Sequence, residues 1–177
     1  MIYSYKNFHP DIHNSVFIAP SADIIGKITI GKNSSIWFNV TARADVHIIK
    51  IGIESNVQDN SVLHVTNGIF PLTIGDRVTI GHGVALHGCT SGNATLIGIR
   101  ATILDGAEIG ENSIVAARSL VREGKKFPEG VLIAGNPAEV KRKLTEEEIN
   151  KNLRYASNYV EYSKSYLENG NFNKLNQ

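Results

Sequence analysis

Ile74-Gly75-Asp76-Arg77-Val78-Thr79-Ile80-Gly81-His82-Gly83-Val84-Ala85-Leu86-His87-Gly88-Cys89 is the stretch that decides the fold. Ile74, Ile80 and Leu86 recur six positions apart, with glycine and small or polar residues between them. A hexapeptide period of this kind marks a parallel β-helix, in which short strands alternate with tight turns. The recurring aliphatic points inward and stacks on its copies in the coils above and below. No coil can bury its own apolar face, so stability comes from stacking many of them.

The period extends outward in both directions. Towards the N-terminus it gives Ile51, Val57 and Leu63, and before a frame shift Ile18, Ile24, Ile30, Ile36, Ala42 and Ile48. Beyond the quoted stretch it gives Ile97, Ile103, Ile109, Val115 and Val121. Seven Ile-Gly pairs mark the array. Ile and Val together number 35 against 11 Leu, a β-branched bias that suits strands and argues against a helical bundle. The expected fold is an all-β solenoid of triangular section, with three hexapeptides per turn.

The texture changes at Gly135-Asn136-Pro137. Thr145 followed by Glu148 reads as a capping box, and Ile149, Leu153, Ala156, Val160 and Leu167 recur at helical spacing. Asn169-Gly170 is the expected stop. The organisation is therefore a β-helix over 1–134, a loop and C-terminal α-helix packed on its flank over 135–170, and a loose tail over 171–177.

Net charge is +1 with both signs interspersed, which gives no sign of a nucleic-acid or membrane partner. No apolar run approaches membrane-spanning length, and the start of the chain lacks a signal-peptide core. One cysteine, Cys89, excludes an internal disulfide and fits a reducing cytoplasm; it reads as a buried structural residue.

Three of the six histidines, His64, His82 and His87, fall inside the repeat. Imidazole is the commonest metal ligand, and three make a catalytic-type set. His9, His13 and His47 lie outside the cluster and read as surface residues. The gap from Leu63 to Ile74 is eleven residues. Taken as one repeat step with a five-residue bulge, it places Leu63 and Leu86 one full coil apart. His64 and His87 then share a slot on successive coils. A phasing with two short steps breaks the stacking. His82, two residues past Ile80, falls on a different edge of the triangle. A threefold ring, in which His82 of one subunit meets His64 and His87 of the next, unites them.

With these residues in view, the chain resembles the γ-class carbonic anhydrases over roughly Val16 to Leu144. The likeness rests on Arg43-Ala44-Asp45, Ser55-Asn56-Val57-Gln58-Asp59, His64, Ile80-Gly81-His82, Leu86-His87-Gly88-Cys89 and Gly135-Asn136-Pro137-Ala138. It implies a left-handed β-helix and a homotrimer with zinc, cobalt or iron(II) shared between chains by His64, His87 and the neighbour's His82. It further implies reversible hydration of CO2 to bicarbonate by a metal-bound hydroxide, with Gln58, and Asn56 beside it, at the reacting solvent. Arg43 is expected to pair with Asp59, and also with Asp45, near the subunit boundary. Tyr159 is a candidate to approach the metal's surroundings from the helix. The chain departs from the family pattern at Val46 and Asn67, where the best-known members carry glutamates.

Two other functions use the same repeat. A hexapeptide-repeat acyltransferase needs one basic histidine, and a metal-stabilised trimeric scaffold needs no turnover. Metal content separates the first from a metalloenzyme, and CO2 hydration kinetics separate the second.

Overall fold

The computed structural model describes residues 1–168 and Phe172. The expected helix stop at Asn169-Gly170 and the tail over 171–177, Phe172 apart, lie outside the described residues.

The chain forms a parallel β-helix closed along one flank by a helix, α1 (Glu146–Leu167). Three columns of inward side chains build the core. One runs Ile24, Ala42, Leu63, Leu86, Ile103, Val121. The second runs Ile30, Ile51, Ile74, Ser91, Ile109, Phe127. The third runs Ile36, Val57, Ile80, Ile97, Val115, Ile133. Every member of these columns is buried. Successive coils stack at the strand spacing of about 4.8 Å.

The period breaks at three places, and the first two shape the site. Ile48, expected to point inward, is only half-buried, while Ile49 and Ile51 are buried in its stead. The cause is an insertion at Asp45–His47, where the strand Thr41–Ile51 slips register against Asp23–Ile30. The second break is the protruding loop between strands Val62–His64 and Leu72–Ile74, closed by a Thr66–Phe70 bridge. The third is one residue short: Ser91 takes the inward slot after Leu86 and satisfies its hydroxyl on Thr95.

Residues 138–143, expected as loop, form a strand. The turn at Gly135-Asn136-Pro137 folds Ala138–Lys143 back antiparallel on Val131–Gly135. The last coil would otherwise expose a row of unpaired backbone groups.

The capping box at Thr145 is present. Its hydroxyl accepts from the Glu148 N–H, and the Glu148 carboxylate accepts from the Thr145 N–H. The buried face of α1 is Asn152, Ala156, Val160 and Ser163. Leu167, expected on that face, is 50% exposed. Asn152 takes an apolar-looking slot because its amide donates to Ala94 O and Ser113 O at 3.2 and 3.3 Å. Further along, Tyr159 and Tyr166 pack on Trp37 and Phe17. Among the described residues, no helix is long and apolar enough to cross a membrane.

Candidate metal centre

The five-residue bulge puts strand Val62–His64 directly beside Ala85–His87, with Leu63 against Leu86 and His64 against His87. Inward Leu63 and Leu86 are fully buried, so the next side chain on each strand must face outward. Two imidazoles thus emerge from one slot on adjacent coils. His64 Nδ1 lies 3.0 Å from His87 Nε2.

The remaining nitrogen of each ring is held by a carboxylate. His64 Nε2 lies 3.2 Å from Asp45 Oδ1, and His87 Nδ1 lies 2.6 Å from Asp105 Oδ1. Asp45 owes its position to the insertion that displaces Ile48, and Arg43 donates to its other oxygen. Asp105 is fixed in turn by the Thr66 hydroxyl, which donates to Oδ2 at 2.7 Å. Sequence reasoning missed Asp105 and Thr66. One lies a coil beyond His87 and the other in the loop after His64, so neither sits in the quoted motifs.

Burial opposes ionisation of both carboxyls, but their hydrogen bonds outweigh it. Arg43 and His64 hold Asp45 below the ordinary aspartate range, and Thr66 and His87 do the same for Asp105. Burial, aided by the charge of Arg43 and opposed by the hydrogen bond that His64 donates to Asp45, lowers the His64 pKa. That favours neutral imidazole, the form that binds metal.

His82 lies apart from this pair. It occupies the turn after Thr79–Ile80, half-exposed, with Nδ1 2.8 Å from Asp59 Oδ2. The expected Arg43–Asp59 pair is therefore not made within one chain. Arg43 shares the His64 edge and turns to Asp45, whereas Asp59 shares the turn edge with His82.

His82 opens on a cleft of 440 Å³ between the coil and α1, walled by Leu96, Ile99, Ala117 and Tyr159, with Gln58 and Thr79 at its polar side. Gln58 is buried, and its amide donates to Asn56 Oδ1 at 3.1 Å. Asn56 is itself anchored on Thr79 Oγ1 at 3.0 Å. Tyr159 reaches the site as a wall of this cleft and of the neighbouring cavity that includes Asp59. Burial and the Asp59 charge raise its phenol pKa.

The other single residues fall as follows. His9 pairs with Ser4, His13 with Ser15, and His47 accepts from the Ile48 N–H. Cys89 is buried, and burial pushes its thiol up to about 12. Val46 lies beside the loop that carries Asn67, where the Gly68 N–H reaches Val46 O.

The residues present suit a metal. Two nitrogens bound tetrahedrally to zinc lie about 3.3 Å apart, close to the 3.0 Å observed here. A carboxylate on the far ring nitrogen is the usual support for a ligating histidine. Among the described residues, no group of three histidine, cysteine or acidic side chains within one chain is placed to hold a metal ion.

No protein-family model matches the chain. It is 46% identical to a carbonic anhydrase of Geobacillus kaustophilus, over 94% of this chain and 91% of that one. It is 43% identical to the mitochondrial gamma carbonic anhydrase 1 of Arabidopsis thaliana, over 89% of this chain; it spans only 59% of that longer relative. A crystal structure from Bacillus cereus, provisionally named an acetyltransferase, superposes with a TM-score of 0.91 at 45% identity, covering 93% of this chain and 95% of that one. With near-full-length relatives at this identity, and with its paired histidines on a hexapeptide coil, the chain belongs to the γ-class carbonic anhydrase family.

Proposed function

We propose that this chain is a metal-dependent carbonic anhydrase, converting CO2 and water reversibly to bicarbonate in the cytoplasm. Three copies form a ring. His64 and His87 of each protomer, with His82 of its neighbour, hold zinc, or cobalt or iron(II), at each interface. The observation that carries this reading is the 3.0 Å approach of His64 and His87, each backed by its own carboxylate. His82 is backed likewise by Asp59, which supports its counting as the third ligand. One buried cysteine and no disulfide support the cytoplasmic placement.

When bound, such a metal supplies a Lewis acid that brings the pKa of water to about 7. Everything else falls to the chain. Asp45, Asp105 and Asp59 fix which ring nitrogen each histidine presents. Gln58, locked by Asn56 and Thr79, orients the reacting solvent or CO2 with its carboxamide. The apolar wall of Leu96, Ile99 and Ala117 suits a small nonpolar substrate. With Val46 and Asn67 in place of carboxylates, the proton passes to buffer, so turnover rises with buffer concentration.

An acyltransferase needs one histidine as base and leaves two of the three carboxylate-backed imidazoles without a purpose. Stopped-flow CO2 hydration by the zinc, cobalt and iron(II) forms tests the proposal. Rates well above those of His82→Ala support it. Rates equal to that variant in all three forms leave a non-catalytic metal-binding scaffold.

A further inference from the structure

His82 is not alone on its edge of the prism. One groove of 560 Å³ runs along that edge and includes Asn60, His82, Ile99, Arg100 and Arg118. Arg100 and Arg118 occupy the turn corner above Gly83 on the next two coils. The Arg100 N–H donates to His82 O, and the Arg118 N–H donates to Ile99 O, both at 2.9 Å. Both side chains are exposed, and among the described residues neither guanidinium meets an acidic partner. Two unpaired cations stacked one coil apart repel each other unless something answers them.

The answering charges stand on the opposite edge of the same chain. Strand register places Leu86, Ile103 and Val121 on three successive coils. Asp105 and Glu123 each lie two residues past the second and third of these, one place further along than His87, which lies one residue past the first. Gly124 N–H donates to Asp105 O, which keeps Glu123 one coil beyond Asp105. Glu123 is exposed and, among the described residues, has no cationic partner. The levels therefore match pairwise. His82 and His87 share one coil, Arg100 and Asp105 the next, and Arg118 and Glu123 the one after.

Rotation about an axis parallel to the solenoid leaves every coil at its own height. We propose that in the ring Arg118 of each protomer pairs with Glu123 of its neighbour, and Arg100 with the neighbour's Asp105. The edge that delivers His82 is then fastened by a two-rung ladder of charge, whose surface partner is a second copy of this chain. The Arg100 rung also gives Asp105 a cation beyond its bonds to His87 and Thr66. This inference rests on the reading in which His82 faces the neighbour's His64 and His87.

Charge reversal tests it by sedimentation of the full, metal-loaded chain over a concentration series at low and high salt. Like charges set against each other across an interface oppose assembly strongly. Arg118→Glu alone and Glu123→Arg alone should each raise the concentration needed for the ring by about tenfold or more. The double variant should recover most of that loss, and the wild-type ring should loosen as salt rises. Circular dichroism establishes that each variant is folded. A wild-type ring that single reversals leave unchanged, or that the double variant fails to rescue, overturns the ladder and spares the metal site. Unchanged rings that instead lose bicarbonate binding assign the arginines to an anion site and also overturn it. A wild-type chain that forms no ring at any concentration removes the shared-metal reading and this proposal together.

Discussion

His64 and His87 lie in register on adjacent parallel strands, with Nδ1 of the first 3.0 Å from Nε2 of the second. The separation follows from the coil itself. Stacked backbones sit about 4.8 Å apart, and two outward rings leaning together from that distance bring their nitrogens to the bite of one metal ion. The scaffold thus brings the two imidazoles together without help from a third group.

Asp105 is the support that the sequence did not announce. Asp105→Asn keeps the shape but weakens the hold on His87 Nδ1 and on Thr66. Metal affinity should fall by about 10- to 100-fold, read by competition against a chelator of known strength. Unchanged affinity would show that His87 needs no carboxylate behind it.

Ile97 tests the stacking account of stability. It is fully buried between Ile80 and Val115 on the third column. Ile97→Ala should cost about 2–5 kcal/mol through lost burial and the cavity left behind, measured by denaturant unfolding. A cost below about 1 kcal/mol would mean that the coils relax freely around a missing side chain.

The inward columns were legible in the sequence because aliphatic spacing and the coil period are the same physical fact. The stacking of His64 on His87 followed once the gap after Leu63 was read as one long step. Ile48 misled, because hydrophobicity cannot tell which of Ile48 and Ile49 a three-residue insertion turns inward. Ser91 was invisible for the opposite reason: it fills a core slot by spending its hydroxyl on Thr95. Likewise Asn152 opens the buried helix face, where its amide donates to two coil carbonyls. Arg43 meets Asp45, as expected, but within one chain it does not reach Asp59, which leaves from another edge of the prism; the repeat alone does not order such polar pairs.

Cys89 should be silent in the folded protein. Burial pushes its thiol up to about 12, and only the thiolate reacts readily. A disulfide reagent at pH 8 should label it only at the rate of unfolding and at once in denaturant. Rapid labelling of the native chain would contradict its buried placement.

The helix start carries a pH signature. Hydrogen bonds from Arg142 and the Thr145 backbone lower the Glu148 carboxyl from its ordinary 4.5 to about 2. A carboxyl depressed on folding contributes stability that is fully present above its unfolded pKa and is lost as pH falls through the folded one. The stability gap between wild type and Glu148→Gln should therefore be constant above about pH 5 and shrink between there and pH 2. Thermal melts across that range check it; a gap that widens on acidification would reverse the sign.

In the proposed ring, each metal takes His64 and His87 from one chain and His82 from another. Co-expressing His64→Ala and His82→Ala chains under separate tags, then purifying rings that carry both tags, measures it directly. Any cyclic ring of three with both chains present contains one junction where the intact His64–His87 pair meets an intact His82. Mixed rings should hold about one metal ion each, and rings of either variant alone none. Mixed rings as empty as the pure variants would contradict it, because ligands drawn from a single chain cannot be restored by mixing.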